Sequence, residues 1–156
     1  MANDLIDTLN DLIHLDVDAA AAYSQAIDAC ELPGIKTTLT AFRSDHERHI
    51  QDLSTCVGNA GGIPDVKRDL KGFIIEGFTA IMSQGDRSAL MAMRGNEELT
   101  VRTYQSALQQ TLPPDARAII ERNFADEQRH LAWIKTAIDT RMYEKDPQKR
   151  GADKAA

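Results

Sequence analysis

Aromatic side chains are scarce in this chain, at 5% of its 156 residues. That shortage weighs against a sheet-built core, where aromatic and β-branched residues dominate. Basic excess is missing as well. The net charge of -6 removes the cationic face that a nucleic-acid binder needs. The only cysteines, Cys30 and Cys56, have no CxxC spacing, which leaves neither a zinc signature nor a disulfide framework and fits a reducing compartment. No apolar run approaches the roughly 18 residues of a membrane span. The opening "MANDLIDTLN" lacks a charged segment followed by an apolar stretch. The expectation is a cytoplasmic protein that engages neither nucleic acid nor membrane.

What is present points to helix. With 42% apolar and 27% charged residues, and long stretches rich in Ala, Leu, Gln and Glu, the chain reads as one all-α domain with a real core. Proline and glycine gather at a few points and punctuate it. Asn3 or Asp4 can cap a first helix running to about Cys30, and Pro33 opens a second reaching about Val57. "GNAGGIP" breaks the second, and Pro64 is read as opening a short helix through "VKRDLKGFIIEGFTAIMS". Gly85 and Asp86 separate that from a third long helix, and Pro114 starts the fourth. The bundle is expected to occupy residues 1–143, with 144–156 as a flexible tail of mixed charge.

The chain also repeats itself. "RSDHERHI" and "FADEQRHL" lie 81 positions apart, and the same shift superimposes Leu9 on Leu90, Tyr23 on Tyr104, Ala26 on Ala107 and Pro33 on Pro114 without a gap. Asp45, Arg48 and His49 match Asp126, Arg129 and His130, while Asp16 falls on Glu97 and His46 on Glu127. Two related helix hairpins follow, joined by the short helix as a crossover along the bundle.

Helical spacing sorts the polar residues. On the first helix Ile6, Leu9, Ile13, Asp16, Ala20, Tyr23 and Ile27 alternate three and four apart, so Asp16 interrupts an apolar seam. The second offers Ile35, Leu39, Phe42, His46, His49, Leu53 and Cys56, which turns both histidines inward. The third offers Leu90, Met93, Glu97, Thr100, Tyr104 and Ala107, and the fourth Ile120, Asn123, Glu127, His130, Ile134 and Ala137. Asp16, His46, His49, Glu97, Glu127 and His130 therefore converge. His14 and Asp18 lie off the stripe and read as a solvated pair.

Burying such groups unpaired costs several kcal/mol apiece, against the ~1 kcal/mol that a typical hydrogen bond returns. Two divalent transition metals would neutralise them, bridged by carboxylates and completed by neutral imidazole nitrogens. Di-iron carboxylate bundles use one Glu from each of two helices and a Glu-x-x-His from each of the others. Here Asp16 and Glu97 take the single places, and His46/His49 and Glu127/His130 the paired ones. The alternative is a metal-free network in which histidinium and carboxylate satisfy one another.

A carboxylate seven residues before a Tyr, a Pro-opened helix and then "DEQRH", all doubled over roughly residues 4–140, resemble the ferritin-like superfamily that includes bacterioferritins and rubrerythrins. "LNDLI", "GFIIEGFTA" and "LPPDARAIIERNFADEQRHLAWI" are most similar to bacterial ferritin-like bundles of poorly defined function. The resemblance implies that Asp16, Glu97, Glu127, His49 and His130 ligate metal, that Asp45 and Asp126 orient the ligand histidines, and that Tyr23 and Tyr104 lie beside the site. It further implies iron, with Mn or Zn as other occupants, and reaction with O₂ or peroxide in iron handling or oxidative stress. A ferroxidase or peroxidase-type oxidoreductase is one outcome, and a metal-free or structurally metallated interaction module is the other. "FIIEGF" reads as connector core or as the contact of a homo-oligomer. The sequence departs from the pattern twice: Asp16 is shorter than the usual Glu, and His46 stands where a carboxylate belongs. Three carboxylates against two divalent ions leave a formal +1, unless Asp45 or Glu47 turns inward.

Overall fold

The structure, a computed structural model, describes residues 2–67 and 85–145. They form α1 (Ala2–Ala29), α2 (Pro33–Asn59), α3 (Asp86–Leu108) and α4 (Pro114–Asp139), with no strand among the described residues. Pro33 and Pro114 each sit in the first turn of a helix, where a missing N–H costs nothing and a fixed φ is already helical. Beyond α2, Gly61 takes a φ of 81° and the Gly62 N–H donates to the Val57 carbonyl at 2.9 Å. Those bonds close the helix C-terminus.

One carboxylate sets how the hairpins meet. Asp86, buried at the start of α3, accepts from the backbone N–H groups of Glu31 at 2.9 Å and Leu32 at 3.0 Å. The first turn of α3 is thereby tied to the α1–α2 turn, so α2 and α3 begin at the same end and run parallel. α1 packs on α2 and α3, and α4 packs on the same two helices. The product is an all-α four-helix bundle.

Three seams are buried as their spacing predicts, but the first differs. Leu9, Ile13, Asp16 and Tyr23 of α1 are buried together with Leu12, Ala19, Ala22 and Ala26, whereas Ile6, Ala20 and Ile27 are only half-buried. Helix α1 packs on α2 more extensively than any other pair in the bundle, and its small residues Ala19, Ala22 and Ala26 join the buried face, which is therefore wider than a single three-four seam. A second difference concerns Pro64, which opens no helix within 64–67. Asn10 holds that strip instead: its side-chain oxygen accepts from the Asp65 N–H at 2.9 Å and its amide donates to the Ile63 carbonyl at 3.3 Å. The rest of the expected crossover helix, "FIIEGF" at 73–78 and positions 146–156 of the expected tail lie outside the described residues.

The core divides into two apolar blocks. One gathers Tyr23, Leu39, Phe42, Leu90, Met93 and Ile134, and the other Leu9, Ile13, Leu53, Val57, Tyr104 and Ile120. Each buried Leu or Ile contributes about 1.5–3 kcal/mol. Between the blocks the polar residues of all four helices face one another.

Candidate metal centre

Asp16 comes from α1, His46 and His49 from α2, Glu97 from α3, and Glu127 and His130 from α4. All six are 0% exposed. Asp16 Oδ1 lies 2.7 Å from His46 Nδ1 and 3.3 Å from His49 Nδ1. Glu127 Oε1 is 3.0 Å from His49 Nδ1 and 3.4 Å from His46 Nδ1. On the other side, Glu97 Oε1 is 3.3 Å from His46 Nε2 and 3.5 Å from His130 Nδ1, and Glu127 Oε2 is 3.4 Å from the same His130 nitrogen. Two donor groups result, Asp16/His46/His49/Glu127 and His46/Glu97/Glu127/His130, each with ligand atoms within 4.8 Å of one another.

The sequence repeat reappears in the contacts. Tyr104 of α3 donates its hydroxyl to Asp16 Oδ2 of α1 at 2.5 Å, and Tyr23 of α1 donates to Glu97 Oε1 of α3. Asp45 Oδ2 of α2 lies 2.9 Å from His130 Nε2 of α4, and Asp126 Oδ2 of α4 lies 3.1 Å from His49 Nε2 of α2. Each hairpin thus orients the other's histidine, and both imidazoles are left presenting Nδ1 to the centre. Arg48 reaches Asp126 at 2.6 Å and Asp45 at 3.2 Å, and Arg129 reaches Asp45 at 2.7 Å and Asp126 at 3.1 Å. These arginines form an ion-pair cover over the histidines. The doubled "R-H" in the sequence was the available signal for them, although the sequence reading gave Arg48 and Arg129 no role. Asp86 reads from sequence only as punctuation before the third long helix, since nothing repeats there.

Neither neighbour of His46 supplies a fourth central carboxylate. Asp45 is engaged by His130 and the two arginines, and the 57% exposed Glu47 side chain lies 3.8 Å from Arg43. Outside the site, His14 Nε2 meets Asp65 at 3.0 Å on the surface.

Burial and pairing pull the titrations in opposite directions. Burial alone would raise the Asp16 and Glu97 carboxyls, but hydrogen bonds from the surrounding histidines hold both below the usual carboxylate range. For Glu127, burial wins and the carboxyl is pushed up. Burial would lower the histidines, yet Asp16 and Glu127 raise His49 to about 9, and Glu127 and Glu97 raise His130 to about 8. Burial, with Glu97 beside one hydroxyl and Asp16 beside the other, keeps Tyr23 and Tyr104 protonated far above their ordinary value.

Protons do not satisfy every donor atom. No well-aligned hydrogen bond reaches either oxygen of Glu127, Glu97 Oε2 or His130 Nδ1, all of them buried, although the His49 and His130 rings lie 3.0 and 3.4 Å from Glu127. An unsatisfied buried polar atom costs about 1–3 kcal/mol, and more when charged. Lone pairs of carboxylate and imidazole converging at 3.0–3.5 Å suit a divalent transition ion. The residues fit such a group.

Residues 4–110, which span α1 to α3, match the family model described as Domain of unknown function (DUF2383). The chain belongs to this family. The match ends before α4, so the family description takes in neither Glu127 nor His130. No curated protein matches the chain. Among solved structures, the fold is similar to a two-domain protein of Anabaena variabilis with DJ-1/ThiJ/PfpI-like and ferritin-like domains. That likeness has TM-score 0.76 and 15% identity, and covers 91% of this chain and 38% of that one. It is also similar to a ferritin-like, diiron-carboxylate protein of Bacillus anthracis, with TM-score 0.73 and 20% identity over 88% of this chain and 96% of that one. This member of the DUF2383 family therefore has the ferritin-like fold, and it spans little more than a third of the first of these relatives. No helix among the described residues is long and apolar enough to cross a membrane.

Proposed function

We propose that this protein binds two divalent transition metals between its four helices, with iron as the working occupant and Mn or Zn as others the donors accept. The observation that carries the reading is Glu127, a member of both donor groups, whose two buried oxygens receive no well-aligned hydrogen bond even though the His49 and His130 nitrogens lie 3.0 and 3.4 Å away. The likeness to a protein described as a ferritin-like, diiron-carboxylate protein supports the same reading. Asp16 and His49 would hold one ion and Glu97 and His130 the other, while His46 and Glu127, common to both donor groups, would serve either. Two Fe(II) ions would supply the two electrons that, with two protons, reduce hydrogen peroxide to two waters, or would pass electrons to O₂.

The chain's own contribution is positional. Tyr23 and Tyr104 keep their protons and use them to fix the single carboxylates. Asp45 and Asp126 hold the histidine rings in the tautomer that frees Nδ1. Two apolar blocks above and below exclude bulk water, which strengthens each charge interaction inside. The oxidoreductase role is tested by mixing anaerobically Fe(II)-loaded protein with O₂ or peroxide in a stopped-flow instrument. Fe(III) absorbance should appear faster than for Fe(II) in buffer, and Glu127→Ala should remove the acceleration. Oxidation at the buffer rate in the parent protein would leave metal binding without turnover.

A second reading is a metal-free bundle serving as a stress or interaction module. The 2.7 Å His46–Asp16 contact favours it, because three histidinium ions and three carboxylates sum to zero. Chelation separates the two: a melting curve unchanged after verified metal removal would support the network, and a lowered one the metal.

A further inference from the structure

His46 is the residue that breaks the repeat, and its ring faces two ways. Nδ1 points to the Asp16 side, 2.7 Å from Asp16 Oδ1 and 3.4 Å from Glu127 Oε1. Nε2 points to the Glu97 side, 3.3 Å from Glu97 Oε1. Its repeat partner Glu127 is divided in the same manner, with Oε1 toward His49 and Oε2 toward His130. His46 and Glu127 are also the two residues common to both donor groups. Each group then contains two oxygens and two nitrogens. A tetrahedron with bonds of about 2.0–2.1 Å has edges of about 3.3–3.4 Å. Six of the seven donor separations given above, 3.0–3.5 Å, lie close to that edge.

We infer that His46 bridges the two metal ions, its Nδ1 binding the ion held by Asp16 and His49 and its Nε2 the ion held by Glu97 and His130. The inference rests on the dinuclear reading above and deepens it. Both ring nitrogens donate lone pairs, so the one N–H proton of neutral His46 leaves to solvent as the second ion binds, and the ring becomes an anion. With Asp16, Glu97 and Glu127 this gives four negative charges against two divalent ions. The formal +1 left by counting carboxylates disappears, and the histidine in a carboxylate's place is accounted for. Glu127 spans the same pair of ions from the α4 side. An imidazole ring between two metal–nitrogen bonds of about 2 Å holds the ions about 6 Å apart, whereas ordinary two-metal sites place them about 3.5–4 Å apart.

The test uses the full chain loaded with Zn(II) alone, crystallised, with anomalous difference maps recorded at the zinc edge. Two peaks about 6 Å apart, one on each edge of the His46 ring, are expected. Two peaks at about 3.5–4 Å, or His46 bound through one nitrogen only, would overturn the bridge and leave the dinuclear reading intact. A single peak would also overturn the bridge, and no peak would overturn both. In solution, ¹⁵N spectra of the Zn(II)-loaded protein should show both His46 nitrogens metal-shifted and no ring N–H. A retained ring N–H contradicts the inference. In His46→Glu, loaded in the same way, the peaks should close to about 3.5–4 Å. An unchanged separation would mean that the ring does not set it.

Discussion

Replacing Glu127 by Ala removes one donor from each group at once, and its effect can be worked from ligand linkage. At free metal 100-fold above Kd, each occupied site stabilises the folded chain by about 2.7 kcal/mol. Two sites give about 5 kcal/mol. For a domain of this size each kcal/mol moves the melting temperature by about 2–4 °C, so metal should raise the parent's Tm by about 10–20 °C. Loss of even 100-fold in affinity at each site, the upper end of what removing an outer partner costs, leaves about 0.4 kcal/mol per site at the same free metal. The metal-dependent shift in Glu127→Ala should then fall to about 2–3 °C. Comparing each variant with its own metal-free form cancels the cavity left by the side chain, which would otherwise confuse the reading. Differential scanning fluorimetry in buffered Zn(II) and in chelator measures both curves. A Glu127→Ala protein that keeps the parent's full shift would refute the assignment of Glu127 to both ions.

Three further outcomes follow from the contacts. The raised histidines set a pH dependence in the metal-free protein: His49 at about 9 and His130 at about 8 lie above the unfolded value near 6.5. Their stabilisation is full below about pH 6.5 and is lost as pH rises through 8–9, so chelated protein should melt lower at pH 9.5 than at pH 6.5, and a flat profile would contradict the pairing. Asp126→Asn and Asp45→Asn should each weaken metal binding about 10–100-fold by freeing one histidine ring; calorimetric titration showing parent affinity in both would remove their orienting role. Asp86→Ala should cost about 3–6 kcal/mol, through two charge-assisted bonds to Glu31 and Leu32, while leaving metal stoichiometry unchanged, and a variant as stable as the parent to urea would show that the tie carries no load.

The helices were legible because their punctuation is local. Pro33, Pro114, Gly85 and the glycines after Asn59 act through their own backbone, and the buried seams of α2, α3 and α4 follow from 3.6-residue periodicity alone. α1 was read less well because the width of its buried face depends on how closely α2 packs against it, which is a tertiary fact. The convergence of Asp16, His46, His49, Glu97, Glu127 and His130 could be inferred from phase, since a polar residue on a buried stripe has nowhere else to point. Pairing between helices could not. Asp45 and Asp126 stand beside the histidines of their own helices, yet each bonds the histidine of the other hairpin, and the crossing distance of α2 and α4 decides that. The two-sided placement of the His46 ring was equally hidden, because a residue's phase gives its direction and not the orientation of its ring.

The measurement closest to the central claim is the anaerobic Fe(II) titration of chelator-stripped protein, with bound metal counted by native mass spectrometry. The account predicts saturation at two ions per chain in the parent and loss of that state in both Glu127→Ala and His130→Ala. Saturation at two in all three proteins would place the metal elsewhere, and a parent that binds no iron while keeping its helical spectrum would contradict the account outright.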